Sequence, residues 1–321
     1  MTRLTSARIE GVIPDVSRLI LGTRLLGQHT EEQAFALFDA VYAGGCNAFD
    51  TAPVYGARQS QQRLGRWITQ RGLRSSVVII DKGCHPAGDV ARMTPADLES
   101  DVSRSLEQFA TEYIDLYLLH RDDPSVPVDE IVSALDEQRA RGRIRAFGAS
   151  NWTHQRLQQA NEYAKARGLV SFAASSPELN LVEPVRTWPG CISVARNAEA
   201  LAWYAATNLP LLAWSPFASG FLTGRLRPDQ APEMLSPTEL RALEFYASDA
   251  NWLRLSRLRA LASRRAVSVA EAALAWVFHV PANIFAVVGC RELGEFQSSQ
   301  AALKLRFSEA ELLELEASTP A

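Results

Sequence analysis

The sequence predicts an α/β chain folded as one (β/α)8 barrel, a single domain over residues 1–321. Three observations carry this. Eight short apolar runs rich in branched residues recur along the chain. Amphipathic stretches at helical spacing separate them. No low-complexity linker divides the 321 residues. Strand–helix alternation is the pattern of parallel βα units, and barrels of this class run to ~250 residues or more as one domain.

The predicted strands are 18–22, 46–50, 77–81, 115–120, 144–148, 170–174, 209–214 and 284–288. Between the first two, Ala34, Phe35, Phe38, Val41 and Tyr42 share one helical face, and Gly44-Gly45 stop the helix. Thr94 followed by Pro95 reads as an N-cap with proline at the first helical position, opening a helix through Phe109. A further helix over 129–141 ends at Gly142. Arg139, Arg141, Arg143 and Arg145 read as cations at its C-terminus and on a solvent-facing loop. After the seventh strand, 216–237 is proline-rich and irregular, the form of a lid or binding loop. A helical tail follows Ser308.

Composition excludes several functions. With 33 basic and 36 acidic residues the net charge is −3, without the basic excess of a nucleic-acid binder. Hydrophobic residues make up 47%, too many for a disordered chain. Cys46, Cys84, Cys191 and Cys290 form no CxxC pair, and the five histidines make no zinc spacing. A reduced, cytoplasmic chain is expected, since the first ten residues lack the apolar core of a signal peptide. The apolar stretch 272–289 is broken by His279, Pro281 and Asn283, which argues against a membrane span of ~20 residues. Neither GxGxxG nor GxxxxGK[ST] occurs, so a Rossmann domain or P-loop is unsupported.

In a (β/α)8 barrel the active site sits at the C-terminal ends of the strands. Those ends carry Asp50, Lys82 and His120, with Tyr55 in the adjoining loop and Gly148-Ala149-Ser150-Asn151 closing the fifth strand. Each residue alone is weak evidence. An aspartate at a strand end is commonly a cap or ion-pair partner, and a lone histidine a core residue. Their joint order is far more specific.

The stretch Phe49-Asp50-Thr51-Ala52-Pro53-Val54-Tyr55-Gly56 resembles a signature of the aldo-keto reductase family. Tyr113 to His120, Ile144 to Asn151 and Trp214 to Gly224 resemble three more, and the resemblance covers about Val16 to Glu316. It implies a TIM barrel that reduces an aldehyde or ketone to an alcohol, reversibly, with a nicotinamide cofactor. Tyr55 would protonate the carbonyl oxygen. A free tyrosine has a pKa of ~10, and an adjacent cation, Lys82, would lower it. Asp50 would compensate the buried ammonium, and His120 would orient the substrate oxygen.

The same resemblance implies the cofactor contacts. Gly22 and Thr23 would lie by the nicotinamide ribose, with Asp50 nearby. Ser150 and Asn151 would bind the carboxamide, and Ser176, where the family usually has glutamine, would reach it through a water. Trp214 would stack on the nicotinamide. Ser215 to Leu222, including Phe217 and Gly220, would hold the pyrophosphate with backbone N–H groups. Gly289, Arg291, Glu295 and Ser299 fall in the adenosine-binding stretch. Arg291 suits a 2′-phosphate, so NADP(H) is favoured. Glu295, in place of the usual glutamine or arginine, would repel that phosphate and accept a free 2′-hydroxyl, which keeps NAD(H) open. Ser299 departs from the usual asparagine.

The substrate pocket is expected among Arg24, Tyr55, His120 and Trp152, with Leu25, His85, Asp122, Trp188 and Phe217 as further candidates and His85 more in keeping with the surface. Arg24 would favour an anionic substrate if it points into the mouth. The partner is a small carbonyl or alcohol, with no nucleic acid or membrane expected, and the oligomeric state is open. Two other classes compete: a cofactor-sensing, non-catalytic member of the fold, like potassium-channel β subunits, and a metal-dependent barrel hydrolase or lyase. Retention of Asp50, Tyr55, Lys82 and His120 counts against the first. The absence of HxH and HExxH clusters counts against the second.

Overall fold

A β-strand sends successive side chains to opposite faces, so a closed barrel sorts its residues by parity into a lumen and an outer layer. The computed structural model describes residues 4–56 and 58–317. A short antiparallel hairpin, β1 (Ser6–Ala7) and β2 (Val16–Ser17), precedes the barrel. The barrel strands are β3 (Leu19–Gly22), β4 (Ala48–Asp50), β5 (Val78–Gly83), β6 (Ile114–Leu119), β7 (Ile144–Ser150), β8 (Ala174–Ser176), β9 (Leu211–Trp214) and β10 (Ile284–Gly289). All pair in parallel, and β10 closes the ring on β3.

The lumen is filled by Ile20, Ala48, Val78, Ile80, Leu116, Leu118, Ala146, Ala174, Leu212, Phe285 and Val287. Ile9, Val12 and Val16 of the hairpin region join this cluster and plug its N-terminal end. That hairpin carries no sequence signal, because its strands are two residues each, too short to show alternation. Residues of the other parity, such as Phe49, Ile79, Tyr117 and Phe147, pack outward.

Helices α1 (Glu31–Ala43), α2 (Gln59–Arg71), α3 (Pro95–Phe109), α4 (Val128–Ala140), α5 (His154–Arg167) and α6 (Ala198–Thr207) connect the first strands. Next come α7 (Pro237–Tyr246), α8 (Asp249–Arg264), α9 (Val269–His279), α10 (Leu293–Ala302) and α11 (Glu309–Glu316). The predicted start of α3 is a full capping box: Thr94 accepts from the Asp97 amide and Asp97 accepts from the Thr94 amide. On α1, Ala34, Phe35, Phe38 and Val41 are buried as the spacing requires. Trp67 of α2 lies 5.3 Å from Phe38 and 5.1 Å from Phe49, tying two helices to the outer face of β4.

Two expectations need correction. The sixth strand pairs over 174–176 and not 170–174, because Ala173 only begins the contact with Phe147 and Phe172 instead bonds the Asn161 side chain. The stretch 216–237 is more ordered than its prolines suggest. It holds 3-10 turns at Ala218–Thr223 and Pro232–Met234, and Ser236 with Glu239 caps α7 at Pro237. The arginine run stays structural: Arg139 pairs with Asp136, Arg141 and Arg143 with Glu99, and Arg145 with Asp115. Among the described residues, no helix is long and apolar enough to cross a membrane.

Gly65 shows how tightly the outer layer fits. A Cβ on it would sit 2.6 Å from the Phe109 carbonyl oxygen at the end of α3. Gly65→Ala would gain about 1 kcal/mol of helix propensity and lose more to a backbone clash that must push α2 and α3 apart, typically about 1–3 kcal/mol. The expected net result is destabilisation, read as a lower urea midpoint at unchanged m-value; a higher midpoint would show that the interface gives way.

Candidate active site

The parity that fills the lumen also selects what stands at its C-terminal mouth. Gly22, Asp50, Lys82, Ser150, Ser176, Trp214 and Gly289 lie on the inward register of their strands, and His120 continues that of β6. Here the apolar layers give way to polar residues that are still nearly closed to water. Asp50 is 3%, Lys82 4% and His120 6% exposed.

The Lys82 ammonium donates to Asp50 Oδ2 at 2.5 Å and to the Thr51 carbonyl at 3.0 Å. Burial works against this ammonium, but Asp50 and Tyr55 outweigh it and hold its pKa above the ordinary lysine value. Lys82 Nζ lies 5.1 Å from the Tyr55 ring centroid. Tyr55 and His120 face each other edge-on with centroids 6.2 Å apart. Lys82 was expected to lower the tyrosine pKa. It does pull in that direction, yet burial is stronger, and the Tyr55 hydroxyl ends above its usual value and stays protonated. Burial first, then the Lys82 and Arg121 charges, drive His120 well below the usual histidine pKa, so its imidazole is neutral. His120 Nδ1 is buried without a hydrogen-bond partner. His85 is no free surface residue: its ring lies 4.8 Å from that of His120.

The residues expected around a nicotinamide are brought together, with changes of role. Thr23 is fully buried and donates to the Asp50 carbonyl at 3.0 Å, so it anchors Asp50 rather than facing the mouth. Ser150 Oγ donates to the Ser176 carbonyl at 2.8 Å, and Asn151 Nδ2 donates to Ser150 Oγ and to the His120 carbonyl. These bonds lash the ends of β6, β7 and β8 together. Ser176 donates its only hydroxyl proton to the Leu212 carbonyl, leaving lone pairs alone for a water or ligand. Trp214 is half-buried, and its Nε1 has no partner. Of the Ser215–Leu222 amides, those of Ala218, Ser219, Gly220 and Leu222 are already bonded inside the loop, so the expected pyrophosphate cradle is narrower than the whole segment.

In the stretch expected to bind adenosine, Glu295 does not hang free. One carboxylate oxygen accepts from the Arg291 amide at 2.7 Å, and the other lies 3.6 Å from Arg225. Ser299 bonds back to the Glu295 carbonyl within α10. The Arg291 guanidinium has no ion pair among the described residues. Trp152 is not part of the substrate pocket. It is fully buried, donates to the Arg121 carbonyl and packs 5.4 Å from Phe172. Asp122 is tied to Arg156 at 3.3 Å.

A model of the aldo/keto reductase family matches residues 18–319. The chain belongs to the aldo/keto reductase family. It is similar to norsolorinic acid reductase of Emericella nidulans, 28% identical over 95% of this chain and 79% of that protein. An uncharacterised oxidoreductase of Bacillus subtilis, YrpG, is 28% identical over 90% of this chain and 88% of its own length. Among solved structures, the glycerol dehydrogenase AKR11B4 of Gluconobacter oxydans superposes with a TM-score of 0.77 at 23% identity, over 98% of this chain and 97% of that one, a likeness of fold. Membership makes this aldo/keto reductase an NAD(P)H-dependent oxidoreductase.

One buried group of this reductase escaped the sequence reading. Glu178, 2% exposed, accepts from Asn180 at 3.0 Å and from the Tyr246 hydroxyl, with no cation beside it among the described residues. Asn180 also donates to the Ser215 carbonyl, at the turn where Ser215, Ala218 and Ser219 hold φ of +53°, +49° and +54°. Left-handed backbone is costly for residues with a Cβ, so the Glu178–Asn180–Tyr246 group steadies the loop beneath Trp214. The signal was present: Ser176, Glu178 and Asn180 alternate with Pro177, Leu179 and Leu181, a polar inward set.

Burial raises the Glu178 carboxyl from 4.5 to about 7, with the Tyr246 and Asn180 bonds opposing. A raised folded-state pKa means that its contribution is whole below the unfolded value and is lost as pH rises through the folded one. Glu178→Gln keeps an acceptor for Tyr246 and cannot ionise. Relative to the parent it should gain about 2 kcal/mol of stability between pH 5 and pH 8, from urea unfolding at both pH values. A difference between the two proteins that does not move with pH would sink this reading.

Proposed function

We propose that this chain reduces an aldehyde or ketone to an alcohol, reversibly, with NADP(H) favoured over NAD(H). The observation that carries this is the Asp50–Lys82 ion pair placed beneath Tyr55, with His120 edge-on to the tyrosine ring. A carbonyl that accepts a hydride needs a proton as charge develops on its oxygen. Tyr55 stays protonated near neutrality and is the donor. Lys82 stabilises the tyrosinate left behind, and Asp50 fixes the ammonium in place. His120, being neutral, offers the substrate oxygen a hydrogen bond without competing as an acid.

The nicotinamide cofactor supplies the hydride when bound. Trp214, half-buried at the strand end with a partnerless Nε1, would suit a planar ring with a polar edge. Ser150 and Asn151, whose side-chain protons are already given to the Ser176 and His120 carbonyls and to Ser150 Oγ, would accept from its carboxamide N–H groups; the loop from Ser215 would hold its pyrophosphate, and Arg291 with Arg225 a 2′-phosphate.

Two variants test these assignments. Tyr55→Phe should lower kcat by about 10²–10⁴-fold while fluorescence titration shows NADPH binding within about twofold of the parent; full turnover would remove the tyrosine from its role. Glu295→Gln should increase the ratio of NADH to NADPH dissociation constants, since one negative charge beside Arg225 and Arg291 is removed. An unchanged ratio would mean that Glu295 serves only to hold the Arg291 amide.

A further inference from the structure

Beside His120 stand two arginines, Arg24 and Arg121, that form no ion pair among the described residues. Arg24, two residues past β3, is exposed and makes no hydrogen bond or ion pair among the described residues. Its guanidinium lies 5.8 Å from the Trp188 ring centroid. Arg121 follows His120 directly. It is fixed by two neutral carbonyls, donating to His120 at 2.8 Å and to Pro189 at 3.2 Å. Its stem lies against Gly190, where a Cβ would come within 3.0 Å of Arg121 Cδ. The nearby carboxylates are committed elsewhere: Asp50 to Lys82 and Asp122 to Arg156. The charge reaches the reacting groups, since Arg24 acts on Tyr55 and both arginines help depress His120. Trp188, stacked 4.8 Å from Phe245, forms an aromatic shelf under Arg24.

Resting on the reductase reading above, we infer that the substrate is a carbonyl compound bearing an oxyanion, a carboxylate or a phosphate ester, gripped by Arg24 and Arg121. A guanidinium matches either group with a charge-assisted fork of hydrogen bonds. A solvated surface arginine would not explain why the Arg121 guanidinium is held through both Nε and Nη1 by neutral carbonyls, nor why neither Arg24 nor Arg121 has a carboxylate partner among the described residues.

The experiment uses full-length protein with NADPH and matched substrates: 4-carboxybenzaldehyde against 4-formylbenzamide, and glyceraldehyde 3-phosphate against glyceraldehyde. In at least one pair the anionic member should show kcat/KM about tenfold or more above the neutral one, mainly through KM, with the advantage shrinking in 0.5 M NaCl. The pair that responds tells carboxylate from phosphate. Arg24→Gln should cut that advantage at least fivefold, and Arg24→Lys should restore part of it. Equal kcat/KM within each pair, or an advantage untouched by Arg24→Gln, would overturn the inference. If no carbonyl is turned over, the reductase reading fails separately. Calorimetry of 4-(hydroxymethyl)benzoate against 4-(hydroxymethyl)benzamide on the NADPH-loaded protein then decides: about tenfold tighter binding of the carboxylate sustains the oxyanion site, and equal binding ends it.

Discussion

A lysine ammonium buried at the mouth of the barrel cannot exist without an opposing charge, and the Asp50–Lys82 pair meets that requirement. Everything else at the site is arranged around it. Thr23 anchors the backbone of Asp50, and the Thr51 carbonyl takes a further proton of Lys82. The cation then sits under Tyr55 and helps keep the His120 ring neutral. Burial and this ion pair together set the protonation of both neighbours: Tyr55 keeps its hydroxyl proton, and His120 is a neutral imidazole with a single N–H.

The barrel is what makes that pairing obligatory. Parallel strands with both faces covered place Ile20, Ile80, Leu118 and Phe285 directly below the mouth, so the floor of the site is dry. The same strands, one register step further, present Asp50, Lys82, Ser150 and Trp214. Apolar floor and polar rim come from one alternation. The ends of the strands are then laced together by Asn151, Ser150 and Ser176, which fixes the spacing between the groups.

Around this centre the charges divide into two zones. At one end the Arg291 amide and the Arg225 guanidinium meet Glu295, where the proposed function sets the charged end of the dinucleotide. At the other, Arg24 lies over Trp188 and Arg121 follows His120, neither with a carboxylate partner among the described residues. A chain of net charge −3 has no global field to draw in an anion, so such local placements decide what is held.

By itself the sequence determined the strand–helix order, the helix caps and the strand ends that carry Asp50, Lys82 and His120, because each is written in local periodicity and turn chemistry. It was silent wherever the answer depended on what another element brings alongside. The sixth strand's register was set by β7, and the fate of Trp152 by Phe172 and the Arg121 carbonyl. Thr23 and Glu295 were legible as residues but not as partners of Asp50 and Arg225. Burial outweighing Lys82 at Tyr55 is likewise a property of the closed barrel. A charge's sign is local, but its strength depends on the dielectric and neighbours that only the tertiary structure supplies.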